Sequence, residues 1–344
     1  MIEESIGKLI ECKNLSVAEM RVGVEAIMQG NCSDAEIAAF LTALRIKGET
    51  IDEIVGAASV MREHVTRIRT DRDDVLDTCG TGGDALSTFN ISTATALVAA
   101  GCGVPVAKHG NRGFSSPAGS AEALQELGVN IEVGVSVVER CIREVGVGFC
   151  YAPLLHPSMR HAVPVRKQLR FRTIFNILGP LTNPAQAQHQ LLGVSRRDLV
   201  AVLGEALSRL GTRHAFVVCG HDGLDEVTLT GPTFVAEVRD GTTNSQQWHP
   251  EDFGLPACRL EELQVTSASE SAERIREVLA GKPGPSREIV LANAAAALLA
   301  AEQVNDLRSG VLRAVHAIDT GRARRILDSL VELTQSVPKP APRF

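Results

Sequence analysis

Aromatic residues are scarce in this chain. Its 344 residues include ten Phe, one Trp and one Tyr. Proteins that bind single-stranded nucleic acid stack bases on aromatic side chains, so a stacking platform is disfavoured. The 35 Lys and Arg residues are outnumbered by 41 Asp and Glu, which gives a net charge of −6 and no overall basic footprint. We therefore expect no nucleic-acid partner.

Several other signals are missing. The eight cysteines form no Cys-x-x-Cys pair, which argues against a zinc knuckle and favours free thiols in a reducing cytoplasm. The longest apolar runs, near residues 94–107 and 291–301, are too short for a membrane span, and the acidic start is unlike a signal peptide. We expect a cytoplasmic protein with no membrane partner.

The first seventy residues have the pattern of consecutive helices. Three capping boxes, Ser16-x-x-Glu19, Ser33-x-x-Glu36 and Thr50-x-x-Glu53, each predict a helix start. The stretch 67–74 is almost entirely charged and is typical of a linker. We predict a small, all-helical N-terminal domain over residues 1–70.

From residue 75 short apolar runs alternate with helical patterns, which predicts an α/β domain over residues 75–340 with a mostly parallel central sheet flanked by helices. A connection near residues 160–190 is expected to cross back to the helical domain. The expected strands lie near 75–79, 104–108, 129–133, 149–151, 215–219 and 234–238. Residues 240–250 are predicted to be a polar loop, and Ser120 and Ser136 to cap helices.

Two loops have compositions suited to anions. Residues 79–84 hold three glycines in four positions, followed by hydroxyl side chains and a predicted helix start, as phosphate sites often do. The pattern also satisfies a relaxed dinucleotide fingerprint, but Asp84 would sit inside that cradle and no ribose-binding acid ends the next strand. Residues 108–120 combine Lys108 and Arg112 with three serines and three glycines.

A third loop, residues 221–226, is acidic. Adjacent carboxylates beside a glycine turn suit a magnesium ion that also binds phosphate oxygens, although a solvated acidic turn is the alternative. Ligands of parallel sheets bind at the carboxyl ends of the strands, where all three loops are expected. No nucleophile elbow, Walker A motif or His-Glu-x-x-His motif is present. The chemistry therefore indicates binding and charge neutralisation of a phosphorylated substrate.

The residues resemble a known family. DTCGTGGD at 77–84, NIST at 90–93, KHGNR at 108–112, RTIFN at 172–176 and DGLDE at 222–226 stand in the order and spacing of the anthranilate phosphoribosyltransferase family. The resemblance extends over nearly the whole chain. It implies a helical domain joined to an α/β domain shared with pyrimidine-nucleoside phosphorylases, and a homodimer that pairs through the helical domains.

The resemblance also implies an activity and its residues. The phosphoribosyl group of 5-phosphoribosyl 1-diphosphate (PRPP) is transferred to the amine of anthranilate in tryptophan biosynthesis, with Mg²⁺ as cofactor. Anthranilate would contact Gly80, Asn111 and Arg166, and the metal would contact Ser92, Asp225 and Glu226. PRPP would contact Gly80, Gly83, Asp84, Thr88, Asn90, Ile91, Ser92, Thr93, Lys108, His109, Gly110, Asn111, Arg112, Gly113, Phe114, Ser115, Ser116 and Ser120.

The chain departs from the family pattern in places. Gly113, Phe114, Pro117 and Ala118 stand where small polar or basic residues are more common, and Ala85 and Arg170 each replace a common glycine.

Two alternatives are weighed. A pyrimidine-nucleoside phosphorylase-like enzyme would need no metal-binding acid pair, and the adjacent acids Asp225 and Glu226 count against it. A non-catalytic nucleotide-binding member of the superfamily would show added basic surface, which the charge of −6 does not supply.

Overall fold

Four helices open the chain in the computed structural model, which describes residues 2–113 and 119–336. They are Ile2–Ile10 (α1), Val17–Gln29 (α2), Asp34–Lys47 (α3) and Ile51–His64 (α4). The three capping boxes are confirmed: the Ser16, Ser33 and Thr50 hydroxyls each accept the backbone N–H three residues on, and the glutamate there returns a bond. These bonds satisfy N–H groups that a helix start leaves unpaired.

Strands and helices alternate after residue 75. The strands are Leu76–Gly80 (β1), Val106–Gly110 (β2), Val147–Tyr151 (β3), His189–Gly193 (β4), His214–Gly220 (β5), Thr233–Arg239 (β6) and Thr242–Trp248 (β7). The helices are Ile91–Gly101 (α5), Ser120–Glu126 (α6), Val135–Arg140 (α7), Ala152–Leu155 (α8), Val163–Leu169 (α9), Phe175–Leu178 (α10), Asp198–Arg209 (α11), Pro250–Phe253 (α12), Ala268–Leu279 (α13), Pro285–Ala300 (α14), Leu307–Asp319 (α15) and Arg322–Gln335 (α16).

The strands form one seven-stranded sheet in the order β3-β2-β1-β4-β5-β6-β7. The first five in this order are parallel, and β6 and β7 are antiparallel additions at one edge. The predicted fold class, a helical domain plus an α/β domain with a mostly parallel sheet, is confirmed. No helix in residues 2–113 and 119–336 is long and apolar enough to cross a membrane.

Both faces of the sheet are buried, and alternate residues of a strand serve different cores. In β5, Phe216 and Val218 face the core that includes α5 and α14, whereas Val217 and Cys219 face the core shared with α11 and the N-terminal helices. This period of two is inherent in a pleated strand. Residues 162–178 also contribute to the second core. The exact domain limits stay predictions.

Four local expectations are wrong. Residues 129–133 form no strand; they lie beside α16, where the Asn130 N–H donates to Thr334 Oγ1 at 3.1 Å. Residues 242–248 form strand β7 rather than part of a polar loop. An antiparallel strand at the edge of a sheet can face water, so its side chains can be polar. Gly119 precedes α6 and Gly134 precedes α7, so neither Ser120 nor Ser136 is the cap.

Candidate active site

The acidic turn lies directly on the carboxyl ends of β1 and β4. The Gly82 N–H donates to Asp225 Oδ2 at 2.8 Å. A Cβ added to Gly80 would lie 2.4 Å from Asp225 Oδ2, and one added to Gly193 would lie 1.6 Å from the Asp225 carbonyl oxygen. Both glycines are therefore required for the acidic turn to approach the sheet.

The second acid of the turn and the second anion loop meet at the start of α5. The Ser92 N–H donates to Glu226 Oε1 at 2.9 Å, as expected of a carboxylate at a helix N-terminus. The Lys108 ammonium, from the middle of β2, donates to Ser92 Oγ at 3.1 Å and to the Thr78 carbonyl at 2.5 Å. The glycine loop, Lys108 and the acidic turn thus meet at one edge of the sheet.

Negative charge is concentrated where they meet. Burial, followed by the charges of Asp84 and Glu226, raises the pKa of Asp225 well above its ordinary value. Burial raises the pKa of Glu226 to about 7, although nearby Lys108 opposes that shift. Burial lowers the pKa of Lys108 itself, and Asp77 works against that effect. Crowded buried carboxylates of this kind favour a cation between them.

The donor set fits a magnesium ion that binds together with a phosphorylated ligand. Within the described part of the chain, no three His, Cys, Asp or Glu side chains form a metal site on their own. Mg²⁺ is commonly held by one or two carboxylates, with phosphate oxygens and waters completing the shell. Asp225 and Glu226 supply carboxylate oxygens. Burial, and then repulsion from Asp84 and Glu226, raises the pKa of Asp225, and a divalent ion would relieve that repulsion.

The glycine loop is held by an arginine that the sequence analysis did not select. Arg172 Nη2 donates to the Thr81 carbonyl at 2.9 Å. A Cβ on Gly83 would lie 1.6 Å from Arg172 Nη1, so the guanidinium rests on the bare backbone. Gly83 and Ala85 have φ values of +81° and +59°, in the left-handed region that favours glycine. The RTIFN block was the available signal, but composition alone gave Arg172 no role.

Two buried histidines lie beside Lys108. His109 Nδ1 donates to the Gly179 carbonyl at 3.0 Å, since a carbonyl can only accept. His109 Nε2 therefore accepts the proton of His156 Nε2 at 3.1 Å. Burial, then the neighbouring histidine, lowers the pKa of His109 to about 3, and burial lowers the pKa of His156 to about 4. Both rings are neutral near pH 7.

The remaining candidates of the first loop and of α5 are placed around this centre. The Asn90 N–H donates to Ser271 Oγ at 2.9 Å, and that hydroxyl donates to Asn90 Oδ1 at 2.7 Å, so α13 holds Asn90. Ile91 and Thr93 are buried in the first turn of α5, whereas Thr88 pairs with Gln264 in an isolated bridge.

The second loop is brought only partly to the centre. Arg112 turns toward acids, with Nη1 3.8 Å from Glu122 and Nη2 3.6 Å from Glu132, and its Nε donates to the Tyr151 hydroxyl. The Gly113 N–H donates to Glu122, the Ser120 hydroxyl donates to the Asn111 carbonyl, and Gly110 ends β2. Phe114, Ser115 and Ser116 lie outside the described residues.

Arg166 comes from the connecting segment. Its guanidinium carbon lies 5.6 Å from the centre of the Phe175 ring, a cation–π distance. Burial, then the charge of Arg172, lowers the pKa of Arg166. Two arginines that repel each other at a partly buried site are suited to an anionic ligand.

A fold with a helical bundle, an α/β domain and phosphate-type turns at the sheet edge defines the class. The chain matches the family models described as "Glycosyl transferase family, helical bundle domain" over residues 3–65 and "Glycosyl transferase family, a/b domain" over residues 72–324. It is a member of this glycosyl transferase class.

Individual relatives narrow the assignment. Anthranilate phosphoribosyltransferase of Syntrophotalea carbinolica is 50% identical, over 97% of this chain and 100% of the relative. The crystal structure of the Thermus thermophilus protein of that name has a TM-score of 0.91 at 40% identity, over 96% of this chain and 99% of that one. The chain therefore belongs to the anthranilate phosphoribosyltransferase family.

A more distant structure of the family has been solved with ligands. Anthranilate phosphoribosyltransferase of Saccharomyces cerevisiae in complex with PRPP and Mg superposes with a TM-score of 0.89 at 28% identity, over 98% of each chain. The same yeast protein in complex with 4-fluoroanthranilate gives a TM-score of 0.87, also at 28% identity and over 98% of each chain.

Proposed function

We propose that this chain transfers the phosphoribosyl group of PRPP to the amine of anthranilate, giving N-(5-phosphoribosyl)anthranilate and pyrophosphate in tryptophan biosynthesis. Membership of the family supports the proposal, as do the ligands named for the yeast relative. The observation that carries it is the convergence of the glycine loop, Lys108 and the acids Asp225 and Glu226 at one edge of the sheet.

In this proposal the turns grip PRPP. The backbone of the glycine loop and the start of α5 offer N–H groups to phosphate oxygens. The described residues assigned to PRPP are Gly80, Gly83, Asp84, Thr88, Asn90, Ile91, Ser92, Thr93, Lys108, His109, Gly110, Asn111, Arg112, Gly113 and Ser120. Arg112 has the weakest support, because its guanidinium already faces two glutamates. Arg172 is added as a residue that supports the glycine loop through its hydrogen bond to the Thr81 carbonyl.

Anthranilate is assigned to Arg166, Asn111 and Gly80. A guanidinium can hold a carboxylate by two parallel hydrogen bonds, and burial strengthens that interaction. Arg166 is buried enough that its pKa is lowered, and it has no acidic partner among the described residues. The substrate carboxylate would supply that partner.

The reaction needs orientation more than proton transfer. The bond from the anomeric carbon to the pyrophosphate oxygen breaks, a bond to the anthranilate nitrogen forms, and that nitrogen loses a proton to water. An aryl amine is uncharged at neutral pH, so its lone pair is available without a strong base, and holding it near the anomeric carbon supplies the advantage. The low pKa values of His109 and His156 keep both rings neutral beside Lys108.

Ser92, Asp225 and Glu226 are proposed to hold Mg²⁺. When bound there, the ion would stabilise negative charge on the leaving pyrophosphate. The Gly82 and Ser92 N–H groups each hold one oxygen of an acid, Asp225 and Glu226 respectively. Lys108 Nζ donates to Ser92 Oγ and so brings a basic group next to the acids.

The proposal is tested by following the loss of anthranilate fluorescence with PRPP and Mg²⁺ present and with each left out in turn. Arg166→Ala should raise the KM for anthranilate by about 100-fold, the usual loss for a buried charged hydrogen bond, and change the KM for PRPP little. Lys167→Ala, on the same helix, is the matched control. Equal effects of Arg166→Ala on both substrates would refute its assignment.

A homodimer and a cytoplasmic location complete the proposal. Ile10 on α1 and Ile46 on α3 are 70% and 78% exposed, so the helical domain presents two large apolar side chains to its surface. The free cysteines suit a reducing compartment. Ile46→Glu should shift the protein from dimer to monomer in size-exclusion chromatography with light scattering; a monomeric wild type would exclude the dimer.

A further inference from the structure

The turn that carries Asp225 and Glu226 is fastened to a distant helix. Asn293 lies in the middle of α14 and is completely buried. All its neighbours from 289 to 298 are apolar, so it is the one polar side chain in that stretch. A buried amide is costly unless its hydrogen bonds are made, which indicates that its partners matter.

Those partners are the backbone groups that directly follow Glu226. Asn293 Oδ1 accepts the Val227 N–H at 2.9 Å, and Asn293 Nδ2 donates to the Val227 carbonyl at 2.9 Å. The same Nδ2 also donates to the Ile289 carbonyl at 2.9 Å, within α14. The side chain therefore binds both peptide groups of one residue, as a neighbouring strand would, and is itself held by its own helix.

The other side of the turn is held by its own residues. Asp222 Oδ1 accepts the Leu224 N–H at 3.0 Å, and Oδ2 accepts the hydroxyls of Thr228 and Thr230 at 3.1 and 2.6 Å. These bonds shape the turn internally but do not attach it to the helices behind the sheet. Asn293 is the hydrogen-bonding side chain from α14 that supplies this attachment in the described residues.

We propose that Asn293 is a positioning residue that fixes the direction of the Asp225 and Glu226 carboxylates through the peptide of Val227. The metal role of those acids rests on the function proposed above, whereas the attachment itself can be measured without any ligand. Adjacent residues of a turn cannot reorient independently, so anchoring Val227 restricts both acids.

The attachment is tested by amide hydrogen exchange of the full chain without ligands. In Asn293→Ala the amides of residues 223–228 should exchange at least about tenfold faster than in the wild type, because a buried hydrogen bond that protects the Val227 amide is lost. The control is Leu298→Ala, which removes a buried side chain from the same helix but no hydrogen bond to the turn. Equal exchange of the turn in the two variants would overturn the proposal.

The consequence for the acids is tested with Mn²⁺ as the probe, by counting free ion by electron paramagnetic resonance in the presence of PRPP. Asn293→Ala should weaken Mn²⁺ binding by about tenfold, the usual effect of losing a residue that orients metal ligands without touching the metal. Leu298→Ala should weaken it by less than about twofold. Unchanged Mn²⁺ affinity in Asn293→Ala would also overturn the proposal. A wild type that binds Mn²⁺ but transfers nothing would instead count against the proposed function.

If Asn293→Ala does not fold, hydrogen exchange of the wild-type protein still tests the attachment. The Val227 amide should then exchange as slowly as the amides of β5, since its partner belongs to a fully buried helix. Exchange as fast as that of an exposed amide would refute the attachment.

Discussion

Arg170 is expected to lower the stability of the protein because of its backbone conformation. It ends helix α9 with φ 57° and ψ 17°, the left-handed conformation in which a Cβ crowds the following carbonyl. Its N–H donates to the Arg166 carbonyl, which completes the helix end. Its guanidinium makes no ion pair within the described part of the chain that could offset the strain. Glycine is the usual residue in this position.

The size of the effect follows from two opposing contributions. Relieving a left-handed Cβ gains about 1–2 kcal/mol in the folded state. Glycine costs up to about 1 kcal/mol through the greater freedom of the unfolded chain. We therefore expect Arg170→Gly to raise the free energy of unfolding by about 0.5–1 kcal/mol. Ala85, with φ +59° in the glycine loop, is strained in the same sense.

Urea unfolding followed by circular dichroism measures this difference, with two controls. Arg170→Ala removes the positively charged side chain but keeps the Cβ, so it separates any effect of that side chain from relief of backbone strain. Lys167→Gly places glycine inside the same helix and should lower stability by about 0.5–1 kcal/mol. The reasoning fails if Arg170→Gly is no more stable than the wild type, or if Arg170→Ala gives the whole gain.

Three further predictions follow from the site. The double variant Asp225→Asn with Glu226→Gln should lose most of kcat and its response to Mg²⁺ in the fluorescence assay, and retained activity would reject the metal site. Gly83→Ala should raise the KM for PRPP by about tenfold or more, because the added methyl displaces the arginine that supports the loop, and this is checked by steady-state kinetics. The pKa values of about 3 for His109 and about 4 for His156 lie below that of an unfolded-chain histidine, about 6.5. The unfolded chain therefore binds these protons first, so the contribution of these two histidines to stability is full above about pH 6.5 and falls toward pH 4. His156→Gln should flatten that fall in urea midpoints measured from pH 7 to 4.5, and an unchanged slope would contradict the pKa values.

Local chemistry made much of the site predictable. Glycine clusters, hydroxyls and charges at the ends of apolar runs indicated three turns at the sheet edge, and the structure joins the glycine loop, Lys108 and the acidic turn by hydrogen bonds. The helix starts were equally accessible, since a capping box is complete within four residues. Whether each residue binds its assigned ligand stays a prediction.

Strand β7 was missed because its side chains are almost all polar. The signal lay in the turn before it: Asp240 and Gly241 have φ values of +48° and +80°, and an Asp-Gly pair between two strands is typical of a tight hairpin. Strand β4 was not predicted either, because its five residues begin with two polar ones. Both strands belong to the sheet because they pair with neighbouring strands, and their own composition does not indicate this.

Arg172 and Asn293 were beyond local reasoning for a different reason. Arg172 has its role because it packs on Gly83, which precedes it by 89 positions in the sequence. Asn293 has its role because it forms hydrogen bonds to Val227, 66 positions away. Conversely, Arg112 had a suitable sequence context but found Glu122 and Glu132 instead. Contacts of this kind depend on how separate elements pack.

The hairpin of β6 and β7 has a consequence for how the chain acquires its fold. The two strands are joined by the tight Asp240-Gly241 turn and pair in full register, so this edge requires only nearby residues to meet. A hairpin closes in about 1–10 μs, whereas parallel neighbours must wait for a whole crossover to be made. We expect this edge of the sheet to acquire order first and the centre, where the turns proposed to bind ligands lie, to be completed last.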